Sequence, residues 1–156
     1  MKSFLVALVV CASVYPAWAQ SAKASDVATR ARGARKVVLA RVAEVQPRFE
    51  TNRYGDRLIV SGLVLEVEET WKGAHSAIAL AAIEGGSIGA LTLSVSDMPA
   101  LRAGDRAVFF LDSTASGEEI LHGRGNGVLK LRADARVVGT GETLDELRRA
   151  VRGAAR

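Results

Sequence analysis

Between Lys36 and Leu131 the apolar residues recur mostly at every second position, the period of a strand, and glycines fall between the runs. In Lys36–Gln46, Val38, Ala40 and Val42 share one face, and Val37, Leu39 and Val45 largely share the other. Pro47 is expected to end that strand, and Tyr54-Gly55-Asp56 to form a tight turn. Arg57–Trp71 predicts the longest strand. Leu63, Leu65, Val67 and Trp71 lie on one parity, Glu66 and Glu68 on the other, and the part before Gly62 is apolar on both. Gly62 is expected to mark a bulge or bend that lets the strand pass between sheets. Lys72-Gly73 turns the chain into Ser76–Glu84, and a turn at Gly85–Gly89 leads to the alternation of Leu91, Leu93 and Val95. Pro99 falls outside a strand, Ala103-Gly104-Asp105 is a turn, and Ala107–Leu111 predicts a buried strand. Two or three more short strands come next, separated by Gly123, Gly125 and Gly127.

Helical spacing occurs only at the two ends. Ser25–Arg32 suits a short helix capped by Ser25 or Asp26 and closed by Gly33. Residues 143–152 carry a capping box, Thr143 with Glu146, and an apolar stripe of Leu144, Leu147 and Val151. The pattern predicts an all-β fold, a small antiparallel barrel of five to eight strands. Its core spans about residues 36–139, and a C-terminal amphipathic helix packs outside or across one end.

The first nineteen residues stand apart. Lys2, the apolar run Phe4–Val14, Pro16 and then Ala17-Trp18-Ala19 have the order of a cleaved secretory leader. The run is too short for a spanning helix. Cleavage after Ala19 would leave one domain, residues 20–156, in the periplasm or outside the cell. Cys11 is the single cysteine and leaves with the leader, so the mature chain has no disulfide and no thiolate ligand. Loss of Lys2 takes the formal charge down by one from +4.

Gly85-Gly86-Ser87-Ile88-Gly89 matches G-x-S-x-G, the nucleophile elbow of serine hydrolases. Asp97, Asp105 or Asp112 and then His122 come after it in the order that a triad would need. The elbow, however, must run from strand through turn into helix, and the residues after Gly89 alternate like a strand. A hairpin turn is therefore expected, with a small serine hydrolase using Ser87 and His122 as the alternative. "HGRGNGVLK" likewise opens a strand rather than a helix, so its glycines read as a turn and not a phosphate cradle. His75 and His122 have no second ligand at metal spacing, and Glu66, Glu68 and Glu69 read as a solvated acidic patch rather than a calcium site. Neither a metal nor a cofactor is expected. Nucleic-acid binding would need basic residues interleaved with aromatics. Phe109 and Phe110 read as core, which leaves Tyr54 and Trp71 as candidate exposed platforms. The basic residues gather instead at Arg30, Arg32, Arg35 and Lys36 and at Arg148, Arg149, Arg152 and Arg156, read as two solvated helical faces, with an anionic surface or acidic partner as the alternative.

The order of "VVLARVAEV", "VEETWKG", "GGSIG", "MPALRAGDRAVFFL" and "GNGVLKL" resembles that of small exported bacterial proteins with an OB-like barrel. The resemblance covers roughly residues 37–131. Its sharpest pieces are Trp71-Lys72-Gly73 and Gly104-Asp105 with Phe109-Phe110-Leu111. The same plan is similar, in topology alone, to the netrin-like module of metalloprotease inhibitors. Those act through an N-terminal cysteine at the protease zinc, which the mature chain lacks, so no site residue is carried over. The resemblance implies a non-catalytic exported module that binds a protein or an envelope component, with no membrane span.

Overall fold

The computed structural model describes residues 18–52, 54–115 and 119–155, with side chains from Asp26 onward in the first helix. The Phe4–Val14 run and nearly all of the expected leader lie outside them, as does Arg156. The element order is α1 (Trp18–Gly33), β1 (Lys36–Thr51), β2 (Arg57–Lys72), β3 (Ile78–Glu84), β4 (Gly86–Ile88), β5 (Leu91–Leu93), β6 (Arg106–Ser113), β7 (Glu119–Leu121), a 3-10 turn at Arg124–Gly127, β8 (Val128–Lys130) and α2 (Leu144–Ala154). The fold is mostly β with two helices.

β1, β2, β3, β7 and β6 pair in that order, and β6 pairs back onto β1, so the sheet returns on itself; β8 extends it beside β6. All of these pairings are antiparallel except β3–β7, which is parallel through Ala81↔Glu119 and Ala82↔Ile120. The expected all-antiparallel barrel is corrected here. Strand directions can alternate around a ring only if the number of strands is even, and this ring has five. The ring is not a regular barrel, because the β3–β7 seam is only two residue pairs long.

Alternation places Val38, Ala40 and Val42 of β1 in one core with Leu63, Leu65, Phe109 and Leu111. Val37 and Leu39 join Val108, Phe110 and Trp71 in a second core on the outer side, beneath the helices. Ala107–Leu111 is buried throughout, as its composition predicts. Three irregularities break the strict parity. The β1–β2 register slips between Val37 and Val38, between Leu39 and Ala40, and between Val42 and Glu44. Each slip leaves one residue unpaired, Trp71 and Glu68 on β2 and Ala43 on β1, and a bulge reverses which face the next residues take. Val45 consequently packs with the inner core, and Trp71 with the outer one. Trp71 is buried at 6% exposure, so it is not the exposed platform expected of it.

Gly62 marks no bulge, since its pairing with Gln46 continues the ladder; it gives room instead to Arg48, whose Nη1 would lie 3.0 Å from an added Cβ. Pro47 does not end β1, which runs on to Thr51. β6 pairs with β1 only as far as Arg41, so β2 alone flanks the later part in the main sheet, and a proline is tolerated in a strand with a free edge. At Ala103-Gly104-Asp105 the turn forms as expected. Gly104 takes φ +90°, Asp105 accepts from the Arg102 amide at 2.8 Å, and Val42 bonds both Gly104 and Asp105.

α1 begins seven residues earlier than the Ser25 start expected from its caps, and its alanine-rich sequence favours that extension. The two helices pack on each other and on the outer core, where Val27, Ala31, Leu147 and Val151 are buried. Of the arginines at the two ends, Arg32, Arg35, Arg149 and Arg152 are exposed as expected, whereas Arg30 and Arg148 are half-buried and committed to contacts. Arg30 donates to the Asn126 carbonyl at 2.8 Å and pairs with Asp26. Lys72 Nζ donates to the carbonyls of Ala31, Arg32 and Ala34 at 2.7, 3.1 and 2.6 Å, closing the C-terminal end of α1. Arg148 clamps α2 to β2 through Glu69, at 2.7 and 3.0 Å, and Glu69 also accepts from Trp71 Nε1 at 2.9 Å. The capping box at Thr143 and Glu146 is complete.

Leu147→Ala should cost about 2–3 kcal/mol, read as a lowered urea midpoint, because the lost side chain leaves a gap between α2 and the outer core. The Arg148 hydrogen bond holds the Glu69 carboxyl below its ordinary value of 4.5, against the opposing effect of burial. A depressed carboxyl stabilises the fold above its unfolded pKa, and that stability is lost as pH falls through the lower folded value. Urea midpoints measured from neutral pH down to about 3 should therefore fall below pH 4.5, and Glu69→Gln should flatten that part of the profile.

Candidate functional site

Ser87 lies inside β4, paired with Thr92 of β5, and its Oγ is 2.8 Å from Thr92 Oγ1. The expected turn at Gly85–Gly89 is thus shifted. The hairpin reverses at Gly89-Ala90, where Gly89 takes φ +58°, and the segment before it is a strand. The next element is a strand and not a helix, so the segment lacks the geometry of a nucleophile elbow. Of the residues in triad order, the structure brings together only Asp112 and His122, with Oδ2 and Nδ1 2.7 Å apart. The other ring nitrogen, Nε2, packs on Gly33 so closely that a Cβ there would lie 2.5 Å away. Asp112 Oδ1 also accepts from the Arg35 amide at 3.2 Å. The pair therefore joins the end of α1 to β6.

Asp97 and Asp105 serve other partners. Asp105 pairs with Lys130 at 2.8 Å. Asp97 takes the Arg124 guanidinium at 2.7 and 3.2 Å, and Arg124 also reaches Glu84 at 2.9 Å. The hydrogen bond from Arg124 lowers the Asp97 pKa, and the two carboxylates raise that of Arg124. The glycines around Arg124 are required by close approach. A Cβ on Gly125 would lie 1.5 Å from the Asp97 carbonyl oxygen, and one on Gly127 would lie 2.6 Å from that of His122. This loop is packed against backbone.

The acidic run separates into different contacts. Glu68 forms a fork with Arg106 at 2.6 to 3.0 Å, Glu69 belongs to the Arg148 clamp, and Glu66 is exposed opposite Arg41. His75 stands 3.3 Å from Thr70 Oγ1. Among the described residues, no three histidine, cysteine or carboxylate side chains gather as a metal-ligand set, and no helix is long and apolar enough to cross a membrane. Tyr54, at the tip of the β1–β2 hairpin, is 74% exposed.

Two concave regions lie among the described residues. One is an open groove of about 670 Å³ along β2 and β3, bordered by Lys36, Gln46, Arg48 and Glu119. Beside it Ile78, Leu80 and Ile120 are 50, 62 and 38% exposed. Sequence reasoning missed this strip because Ile78–Glu84 is apolar on both parities. The available signal was size: alanines 79 and 81 take the inner face, and the larger Ile78 and Leu80 are left outside. The other region is a crevice of about 470 Å³ between the β4–β5 hairpin and one end of the five-strand ring. Val45, Ile83, Leu93, Met98, Leu101 and Arg102 line it.

Compared with known proteins, the chain matches no family model and no curated sequence.

Proposed function

We propose that this chain is a non-catalytic exported binding module, an OB-like barrel that holds a protein or another component of the cell envelope on the outer face of β3 and β7. The carrying observation is the exposed apolar strip of Ile78, Leu80 and Ile120 beside an open groove. Large apolar side chains left side by side on a strand surface mark an interaction site, whereas single ones do not. Support for the OB-like reading comes from the strand order, in which the first strand pairs with the second and with the fourth of the five-strand ring. The leader-like pattern of residues 1–19 supports export to the periplasm or beyond. Support for a binding role over hydrolysis comes from hydrogen-bond geometry. The Ser87 hydroxyl is engaged with Thr92, and the two His122 nitrogens face Asp112 and Gly33.

Immobilised wild-type protein should retain an envelope component that Leu80→Asp loses, with the melting temperature of the variant unchanged because Leu80 contributes little to the core. Equal retention by both proteins would remove β3 from the interface. A fluorophosphonate probe should leave the protein unlabelled, and a covalent adduct mapped to Ser87 would replace the binding reading with a hydrolase.

A further inference from the structure

The inner core does not stop at the end of the ring under the β4–β5 hairpin. Ile83 and Leu101 belong to that core, Val45 and Met98 pack against it half-buried, and all four also line the crevice. The apolar interior is thus continuous with a concave wall open to solvent. Leu93 lines the same space from the hairpin side. Its volume of about 470 Å³ falls in the range of small-molecule sites.

Charge on the lining is carried by two residues, and only one is compensated. Glu84 is held by Arg124 at 2.9 Å. Arg102 uses its backbone amide on Asp105, but among the described residues nothing takes its guanidinium in a hydrogen bond or ion pair. The crevice lining is thus more apolar than polar and includes one arginine whose guanidinium is uncommitted. A guanidinium matches a carboxylate in geometry, giving two parallel charge-assisted hydrogen bonds.

We propose that this crevice binds a small apolar acid, a single-chain carboxylate with a tail on the order of ten carbons, with the tail against Val45, Leu93 and Met98 and the carboxylate on Arg102. Apolar burial sets the affinity, and the arginine sets the head group. The site is separate from the β3–β7 face, so it stands whether or not that face binds a partner.

Calorimetric titration of the purified protein with octanoate, decanoate and dodecanoate, each below its micelle concentration, tests both parts. One saturable site is expected, with Kd falling about fourfold for each added methylene. Decyltrimethylammonium, with the same tail and the opposite charge, should bind at least about tenfold more weakly than decanoate. Arg102→Gln should lose about tenfold for decanoate and leave decanol unchanged. Arg102 is exposed, so this variant should fold; its melting temperature, matched to wild type, confirms that. Ser94→Trp, placed on the lining, should block all of these ligands. Absence of saturable decanoate binding, affinity independent of chain length, or equal decanoate binding by wild type and Arg102→Gln would each overturn the proposal.

Discussion

β1 is shared by two seams. From Val37 to Arg41 it pairs with β2 on one edge and β6 on the other, and Val37 to Ala40 have no exposed surface. A strand bonded on both edges and apolar on both faces needs a layer above it as well as below. The inner face is satisfied by closing the sheet on itself. The outer face requires the two helices, whose stripes of Val27, Ala31, Leu147 and Val151 meet Val37, Leu39, Val108 and Phe110. The terminal helices thus complete the second core, although they lie at opposite ends of the chain.

Polar contacts at the edges of that second core fix the helices in place. Lys72 closes the end of α1, the Arg148 and Glu69 pair locks α2, and Asp112 with His122 supports the exit from α1. Isolated surface ion pairs contribute little, but Glu69 is shared between a guanidinium and an indole that is itself buried. Its position results from the Glu68 bulge, because Trp71 and Glu69 then both reach the helix side. Glu68 pairs instead with Arg106 of β6.

Much of this was legible in the sequence. The face assignment of Val38, Ala40 and Val42, the buried run from Ala107 to Leu111, the Gly104-Asp105 turn and the Thr143 cap all come from local rules that the structure obeys. What escaped was set by contacts between distant segments. A bulge at Ala43 or Glu68 has no sequence signal of its own, because it depends on how β1 and β2 must twist to close the ring. Pro47 reads as a terminator unless it is known that β6 leaves β1 at Arg41. Of the candidate site, Ser87 and His122 were visible as residue types, but the contacts that occupy them were not. Gly33 reads as a helix terminator, and its close contact with His122 depends on a residue near the other end of the chain.

The two seams of β1 also differ in what they demand of an unfolded chain. Its seam with β2 joins neighbouring segments across a short hairpin, so little loop entropy is lost in forming it. Its seam with β6 joins Val37 to Phe110 and encloses everything between them. The parallel β3–β7 contact likewise bridges a long excursion with only two residue pairs. Contacts so far apart in sequence slow a folding reaction, since chain entropy is spent before they form. The β1–β2 ribbon is therefore the natural early structure, and ring closure the late step. Until that step the edge of β1 from Lys36 to Arg41 is bare, apolar and able to pair with the wrong strand.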